Sequence, residues 1–309
     1  MSNLILSNLL NKDKVCETQT IIQKLYKLEV FVYSGGKTGG STLNRTFNNN
    51  NFTTIHVHSN YYFQKVLIKN DDITIFNVID YSKKKRPIVI IDSYRTPIER
   101  KISSFFENIS EHLPNYSELS VEQLILIFNE KFLYGLEEYH PMDDLTNHYG
   151  FPNFKTFNFT KKYNKCTFDN ITFVKIRFNE IDRWHEILSE IFGQKITMFN
   201  ENLTANKKII DLYNEFKNKY KIPDKYLDEN IVNDTNFYIY NSIDEQIEYL
   251  NKWNKKRISL HKIEQTQLNS IHNNTLYSIQ QMSLEESSLQ IKELNVKKKL
   301  MLLNILQKN

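Results

Sequence analysis

The glycines of this chain point to the first candidate site. The sequence holds only 7 glycines in 309 residues, where average usage would give about twenty. Four of them fall within six positions, among residues that carry hydroxyl and ammonium groups: Gly35, Gly36, Lys37, Thr38, Gly39, Gly40, Ser41 and Thr42. Glycines let successive backbone N–H groups converge, and a helix that starts there adds positive potential. We therefore expect this segment to bind an anion, with Lys37 supplying charge to a phosphate.

The elements around this segment are those of a phosphate-binding loop. The apolar run Val30–Tyr33 predicts a buried strand that ends at the glycines, and a helix is expected to follow them. The P-loop of nucleotide triphosphatases reads G-x-x-x-x-G-K-[ST], but Phe31 stands where its first glycine should be. The apolar run Ile88–Ile91 followed by Asp92 resembles the strand and aspartate that hold magnesium in such enzymes. A magnesium- and ATP-dependent P-loop kinase is therefore one alternative.

Two segments resemble motifs of the sulfotransferases that use 3′-phosphoadenylyl sulfate (PAPS). Residues 37–42, Lys-Thr-Gly-Gly-Ser-Thr, resemble the K-[ST]-G-[TS]-[ST]-[ST] loop that holds the 5′-phosphosulfate. Residues 94–106 resemble the R-[DN]-P-x-x-R-x-x-S-x-[FY]-[FY] segment, whose arginine and second-turn serine bind the 3′-phosphate. Arg95 and Ser103 have that spacing, and a guanidinium and a hydroxyl can converge on one phosphate.

The resemblance implies a P-loop-like sulfotransferase core that binds PAPS and releases adenosine 3′,5′-bisphosphate. It is firm over residues 28–108, and the later chain looks more loosely like sulfotransferase-like proteins of capsular polysaccharide synthesis. It implies a sulfuryl transfer to a hydroxyl acceptor on a carbohydrate, with Lys37 stabilising the leaving phosphate. The implied cofactor contacts are Gly36, Lys37, Thr38, Gly39, Gly40, Ser41, Thr42, Arg95 and Ser103.

Three positions depart from the family pattern. Gly40 stands where Thr or Ser is usual, Gly36 where Pro is frequent, and Thr96 where Asp or Asn is usual. None of these changes removes a charge that binds phosphate, so the cofactor site is expected to be retained. A second alternative is a homologue that binds the nucleotide without catalysis. Gly40 favours it, as does the fact that several residues, discussed next, are candidates for the catalytic base.

Two histidines are the candidates for the base that accepts the proton of the acceptor hydroxyl. His56 and His58 stand at i and i+2 on a predicted strand, so both side chains point to one face. The ordinary pKa of His, about 6.5, suits a general base at neutral pH. The pair resembles the H-x-H of uronyl 2-O-sulfotransferases, in which the second His is the base, so His58 is favoured and His56 would assist it or bind substrate.

Other interpretations of the histidines stay open. They could be two side chains on a half-exposed strand face, or two ligands of a metal whose third ligand has no recognisable spacing; no metal site is predicted. Acidic residues of a later segment could serve as the base instead: Glu137, Glu138, Asp143 and Asp144. The basic turn Lys83–Arg86 is expected to be solvated, with attraction of an acidic glycan as the alternative.

Strands alternate with helical stretches, which predicts an α/β fold with a parallel sheet between helical layers. The predicted strands are 30–33, 54–58, 73–76, 88–91 and 172–176. The first 255 residues are expected to form the α/β domain. Residues 256–309 carry irregular helical spacing and no Gly or Pro. They are predicted to be a helical C-terminal extension, which could support homo-oligomers, or a partly ordered tail.

Composition restricts the class of protein. The net charge of +4 is too small to predict a surface that wraps nucleic acid. Cys16 and Cys166 form no C-x-x-C pair, which fits a reducing compartment rather than a disulfide scaffold. The sequence shows no signal peptide and no apolar run of about 18 residues. We therefore expect a soluble, cytoplasmic enzyme with no membrane span.

Overall fold

A sheet of five strands lies at the centre of the fold. The structure, a computed structural model, describes residues 25, 27–107, 109–134, 141–150, 154–199 and 209–258. The strands are β1 (Val30–Tyr33), β2 (Thr54–Val57), β3 (Ile88–Tyr94), β4 (Tyr163–Phe168) and β5 (Ile171–Arg177), in the sheet order β2-β1-β3-β5-β4. The first three and β5 are parallel, whereas β4 is antiparallel to β5. The predicted α/β class is therefore confirmed, with a sheet that is mostly parallel.

Helices connect these strands. They are α1 (Gly40–Asn49), α2 (Asn60–Tyr62), α3 (Ile75–Lys83), α4 (Pro97–Glu107), α5 (Ile109–His112), α6 (Val121–Ile127), α7 (Pro141–Tyr149), α8 (Trp184–Phe192), α9 (Ile210–Lys219), α10 (Asp224–Tyr226), α11 (Thr235–Tyr240) and α12 (Ile243–Asn254). In the part of the chain that the structure describes, the π-helical segments Phe63–Leu67, Phe128–Leu133 and Leu227–Ile231 continue α2, α6 and α10. Among the described residues, 3₁₀ helices span Tyr116–Glu118 and Phe178–Arg183.

The sheet separates two apolar cores. Val30 and Val32 of β1 pack with side chains of α1 and α8 on one face, and Phe31 and Tyr33 pack with side chains of α3 and α7 on the other. All four residues of β1 are fully buried. This explains why the strand sequence is apolar without alternation, as in a parallel strand covered on both faces.

The predicted strand 73–76 is wrong, because α3 begins there. The Thr74 side chain accepts a hydrogen bond from the backbone N–H of Asn77, and the Asn77 side chain accepts one from the N–H of Thr74. This reciprocal cap satisfies donors that a helix start leaves open. It outweighs the strand preference of the β-branched residues Ile73 and Ile75, whose side chains are buried in the core below α3.

The sheet order creates a crevice beside β1. The chain passes from β1 to β2 on one side and then crosses to β3 on the other side, with α1 and α3 on opposite faces. Ligands of open α/β sheets bind at such a switch point, outside the carboxyl ends of the strands. The glycine-rich segment follows β1 and Arg95 follows β3, so the fold brings both predicted motifs to this crevice.

The described residues divide into two compact units. One contains the sheet above and Tyr226–Lys256; the other contains Lys221–Lys225 and the pair of short parallel strands β6 (Ile222–Pro223) and β7 (Arg257–Ile258). The predicted extension lies outside the described residues from position 259 onward. No helix among the residues described is long and apolar enough to cross a membrane.

Candidate functional site

The glycine-rich loop connects β1 to α1 through two residues in left-handed conformations. Lys37 has φ 65° and Gly39, which precedes the first turn of α1, has φ 91°. A Cβ at Gly39 would lie 2.6 Å from Cη2 of Trp184, so this position excludes a side chain by space as well as by conformation. Gly39 provides no side-chain cap. The first-turn N–H groups of the ten-residue α1 are therefore available to an anion.

A cavity of about 220 Å³ lies against this loop and is lined by most of the predicted site residues. Its lining residues are Gly36, Lys37, Gly39, Gly40, Ser41, Thr42, His56, His58, Arg95, Ser103, Glu107, Phe178 and Ile181. Thr38 is the predicted contact that does not line it. Its hydroxyl is buried and donates to the carbonyl of Gly35 at 2.8 Å, so Thr38 closes the loop.

Lys37 reaches across the cavity to an acidic side chain. Its Nζ lies 2.7 Å from Oε1 of Glu107, the last residue of α4. Glu107 was not predicted from the sequence. A signal was available, because Glu107 stands four residues after Ser103 and shares its face of the helix. The ammonium group predicted to hold a phosphate is therefore paired with a carboxylate of the protein.

Arg95 is anchored to the loop and lies over an aromatic ring. Its Nη1 donates to the carbonyl oxygen of Lys37 at 2.9 Å, and its guanidinium carbon lies 4.4 Å from the ring centroid of Phe178. Burial lowers the pKa of Arg95, while the adjacent Tyr213 hydroxyl and Glu99 raise it. Ser103 is 8% exposed and lies on α4 beside the same cavity. The structure thus brings together the two residues of the second motif.

The two histidines lie side by side, as their spacing predicts, with ring centroids 4.5 Å apart. His58 Nδ1 lies 3.0 Å from the carbonyl oxygen of Ser34. Because a carbonyl only accepts hydrogen bonds, this contact assigns the ring hydrogen to Nδ1 and leaves the lone pair of neutral His58 on Nε2. The ring of Tyr62 packs on His58 with its centroid 4.9 Å away.

The ring of His56 is largely enclosed by the protein. Burial, and secondarily the neighbouring His58, lower its pKa from the ordinary value of 6.5 to about 3. Its Nε2 lies 3.3 Å from the hydroxyl oxygen of Ser34. His56 is therefore neutral at pH 7 and a weak base, which favours His58 for proton transfer and leaves His56 as a packing and hydrogen-bonding group.

The packing of His56 accounts for glycine at position 40. A Cβ there would lie 2.1 Å from Nε2 of His56 and 2.4 Å from Oγ of Ser34. Both distances are far below van der Waals contact, so the Thr or Ser usual in the resembled loop does not fit beside this histidine. Gly40 and His56 are thus complementary parts of the same site.

Asp92, the candidate magnesium ligand of the kinase alternative, is not among the residues that line the cavity. It is fully buried on β3, and its Oδ2 accepts a hydrogen bond from Nζ of Lys175 on β5 at 2.5 Å. Burial raises the pKa of Asp92, and the Lys175 ammonium opposes that rise. The pair is in register between adjacent strands, where it neutralises two buried charges.

The acidic segment considered as an alternative base is described only in part. Glu137 and Glu138 lie outside the described residues. Asp144 accepts a hydrogen bond from the hydroxyl of Tyr33 at 3.0 Å, and burial raises the pKa of Asp143. Neither aspartate lines the cavity.

Comparisons of the chain with protein-family models, curated proteins and solved structures give no match. The resemblance to sulfotransferases therefore depends on the two sequence motifs alone.

Proposed function

We propose that this protein is a PAPS-dependent sulfotransferase that transfers a sulfuryl group to a hydroxyl of a carbohydrate acceptor. The supporting observation is that the loop after β1, the residues after β3 and two histidines line the same cavity. Each motif resembles a different phosphate contact of PAPS, and the fold brings the two to one crevice. The hydrogen-bond donors around the cavity suit a nucleotide that carries two separate phosphates.

The loop and α1 provide the contacts for the 5′-phosphate. Residues 39–42, whose backbone N–H groups stand at the helix start, all line the cavity, and Ser41 and Thr42 among them carry hydroxyl groups. Arg95 and Ser103 provide the contacts for the 3′-phosphate. The hydrogen bond from Arg95 to the carbonyl oxygen of Lys37 connects the two proposed phosphate sites and helps to fix their relative positions.

PAPS supplies the sulfuryl group, and adenosine 3′,5′-bisphosphate is the leaving group. In the proposed transfer the acceptor oxygen forms a bond to sulfur while the bond from sulfur to the phosphate oxygen breaks. Nε2 of His58 takes the acceptor proton, and the Lys37 ammonium stabilises the negative charge that develops on the phosphate oxygen. Lys37 must leave Glu107 to do so.

The position of Asp92 favours this function over the kinase alternative. A P-loop kinase needs the aspartate after its buried strand at the phosphate site, where it holds magnesium. Here the carboxylate is engaged by Lys175 inside the sheet. Replacing Asp92 would leave Lys175 buried without its partner, so the residue has a structural role in this chain.

Calorimetric titration with adenosine 3′,5′-bisphosphate, and separately with ATP and magnesium, tests the proposal. We expect the bisphosphate to bind without metal and Arg95→Ala to abolish that binding. The matched control is Arg183→Ala, because Arg183 is an exposed arginine paired with Glu186 on the surface. Binding of ATP only with magnesium would overturn the proposal. Bisphosphate binding without turnover of PAPS on any glycan would indicate the non-catalytic homologue.

A further inference from the structure

Phe178 contacts both motifs of the candidate site. It follows the last residue of β5 and lines the cavity at the glycine-rich loop. The guanidinium carbon of Arg95 lies over its ring, 4.4 Å from the centroid. A Cβ added at Gly39 would lie 3.2 Å from Cδ2 of Phe178, so the ring also packs closely against the loop before α1. The ring of Phe178 therefore lies where the loop and Arg95 meet.

The neighbours of Phe178 hold its ring in a defined position. The preceding residue, Arg177, is buried and forms ion pairs with Glu180 and Glu245. The indole N–H of Trp184 donates to the carbonyl oxygen of Arg177 at 2.9 Å. The Trp184 ring meets the Phe178 ring at 86°, with centroids 6.2 Å apart. A side chain whose backbone and neighbouring ring are both anchored can orient another group precisely.

The guanidinium of Arg95 benefits from such support because little water reaches it. Burial lowers the pKa of Arg95, which shows that its charged form is partly desolvated. An aromatic face attracts a cation, and the attraction is stronger where water is excluded. The guanidinium is also planar, with five N–H donors in a fixed arrangement. A ring below this plane therefore stabilises the charge of Arg95 and fixes the direction of its donors.

The contacts of Phe178 favour this role over direct contact with a nucleotide base. Aromatic side chains bind nucleotides by offering a face on which a base stacks. One face of Phe178 carries the guanidinium of Arg95, and the side of the ring at Cδ2 packs against Gly39. Stacking of a base on the face that carries Arg95 would displace the arginine.

We propose that Phe178 is a positioning residue that acts through Arg95 and makes the site selective for a nucleotide with a 3′-phosphate over one without it. This inference rests on the proposed function, in which Arg95 binds the 3′-phosphate. Without the ring, Arg95 keeps its hydrogen bond to the carbonyl oxygen of Lys37 but its plane can turn about that contact. The 3′-phosphate then loses a preorganised partner, whereas the 5′-phosphate contacts at the start of α1 are unchanged.

Calorimetric titration of Phe178→Leu with adenosine 3′,5′-bisphosphate and with adenosine 5′-monophosphate tests the proposal. Leucine retains an apolar side chain but has no aromatic face. We expect the affinity for the bisphosphate to fall by about fivefold to tenfold. The affinity for the monophosphate should change by less than about twofold. Phe178→Tyr, which keeps the aromatic face, should retain both affinities.

The matched control is Phe159→Leu. Phe159 is also half-buried and also carries an arginine, because the guanidinium carbon of Arg177 lies 5.2 Å from its ring centroid. It does not line the cavity. Phe159→Leu should therefore leave both affinities within about twofold of those of the unmodified protein. If Phe178→Leu does not fold, Phe178→Met replaces it, because the flexible methionine side chain fills irregular space without an aromatic face.

Urea unfolding without nucleotide measures the contact itself. The variants are Phe178→Leu, Arg95→Ala and the two changes combined. We expect the combined variant to lose less free energy of unfolding than the sum of the two single losses, because each single change already removes the contact between ring and guanidinium.

Three results would overturn the proposal: an unchanged bisphosphate affinity in Phe178→Leu, equal weakening of bisphosphate and monophosphate, or additive losses in urea. Equal weakening would mean that the ring contacts the nucleoside or shapes the whole cavity. Failure of the proposed function gives a different pattern. The unmodified chain then binds no bisphosphate while the losses in urea stay non-additive, and the contact of Phe178 with Arg95 has a structural role alone.

Discussion

The carboxylate of Glu107 lies in a cavity whose other polar groups attract anions. Its pairing with Lys37 at 2.7 Å satisfies the ammonium group while no phosphate is present. A bound phosphate competes for the same ammonium and is repelled by the same carboxylate. Glu107 therefore limits the affinity of the site, and its release from Lys37 is part of binding.

Replacing Glu107 with Gln should strengthen anion binding. The change removes one negative charge and keeps the size of the side chain. Because about a third of the Glu107 side chain is exposed, solvent screens the pair, and we expect a gain of about threefold to fivefold in bisphosphate affinity. Calorimetry of Glu107→Gln against Glu111→Gln, an exposed glutamate on α5, measures it. Unchanged or weaker binding in Glu107→Gln would show that the carboxylate does not compete with the ligand.

The sequence identifies the basic residues of the cavity better than its acidic and aromatic ones. Lys37, Arg95 and Ser103 stand in local patterns with a chemical meaning, and the structure brings them to one cavity. Phe178 belongs to no such pattern, and Glu107 shows only its spacing of four residues from Ser103. Their positions depend on how α4 and the segment after β5 pack across the sheet, which is a property of the folded chain.

At the scale of elements, helix capping and the edge position of a strand determine secondary structure that the pattern of apolar residues alone does not predict. The β-branched residues near position 75 favour a strand locally, but the reciprocal cap of Thr74 and Asn77 begins α3 there. Strand β4, which the sequence analysis did not predict, is polar and largely exposed beyond Asn164, as an edge strand allows. The buried strands β1 and β3 were predictable because both faces are covered and their sequences are apolar.

The contact between His56 on β2 and Gly40 at the start of α1 predicts how a substitution at position 40 changes the stability of the protein. Alanine normally stabilises a helix relative to glycine by about 1 kcal/mol. At position 40 the added Cβ would collide with the buried ring of His56. We therefore expect Gly40→Ala to destabilise the protein by about 1–3 kcal/mol. The cost should fall by about 1 kcal/mol or more in a His56→Ala background, where the ring is absent.

Urea unfolding of the two single variants and the double variant measures this coupling. Gly36→Ala is the control, because a Cβ at Gly36 meets no atom within 4 Å, and it should change stability by less than about 0.5 kcal/mol. Additive effects of Gly40→Ala and His56→Ala would contradict the packing described for this junction.

For the whole molecule, His56 makes stability depend on pH. Its pKa is lowered from 6.5 to about 3 in the folded state, mainly by burial. Between these values the unfolded chain binds a proton that the folded chain does not, so the free energy of unfolding rises with pH through this window. The contribution is complete above pH 6.5 and is lost as the pH falls towards 3.

Unfolding measured in urea at pH 7 and pH 4 should detect this loss. Each unit of pKa shift corresponds to about 1.4 kcal/mol, so the unmodified protein should lose about 3 kcal/mol through His56 over this range. His56→Gln removes the titrating group. Whatever its stability at pH 7, the decrease in its free energy of unfolding from pH 7 to pH 4 should therefore be smaller by about 3 kcal/mol than that of the unmodified protein. His185→Gln, at an exposed histidine of α8, should behave like the unmodified protein. If His56→Gln and the unmodified protein lose the same free energy of unfolding between pH 7 and pH 4, acid destabilises the fold through other groups. The His56 ring would then accept a proton without disturbing its packing against α1.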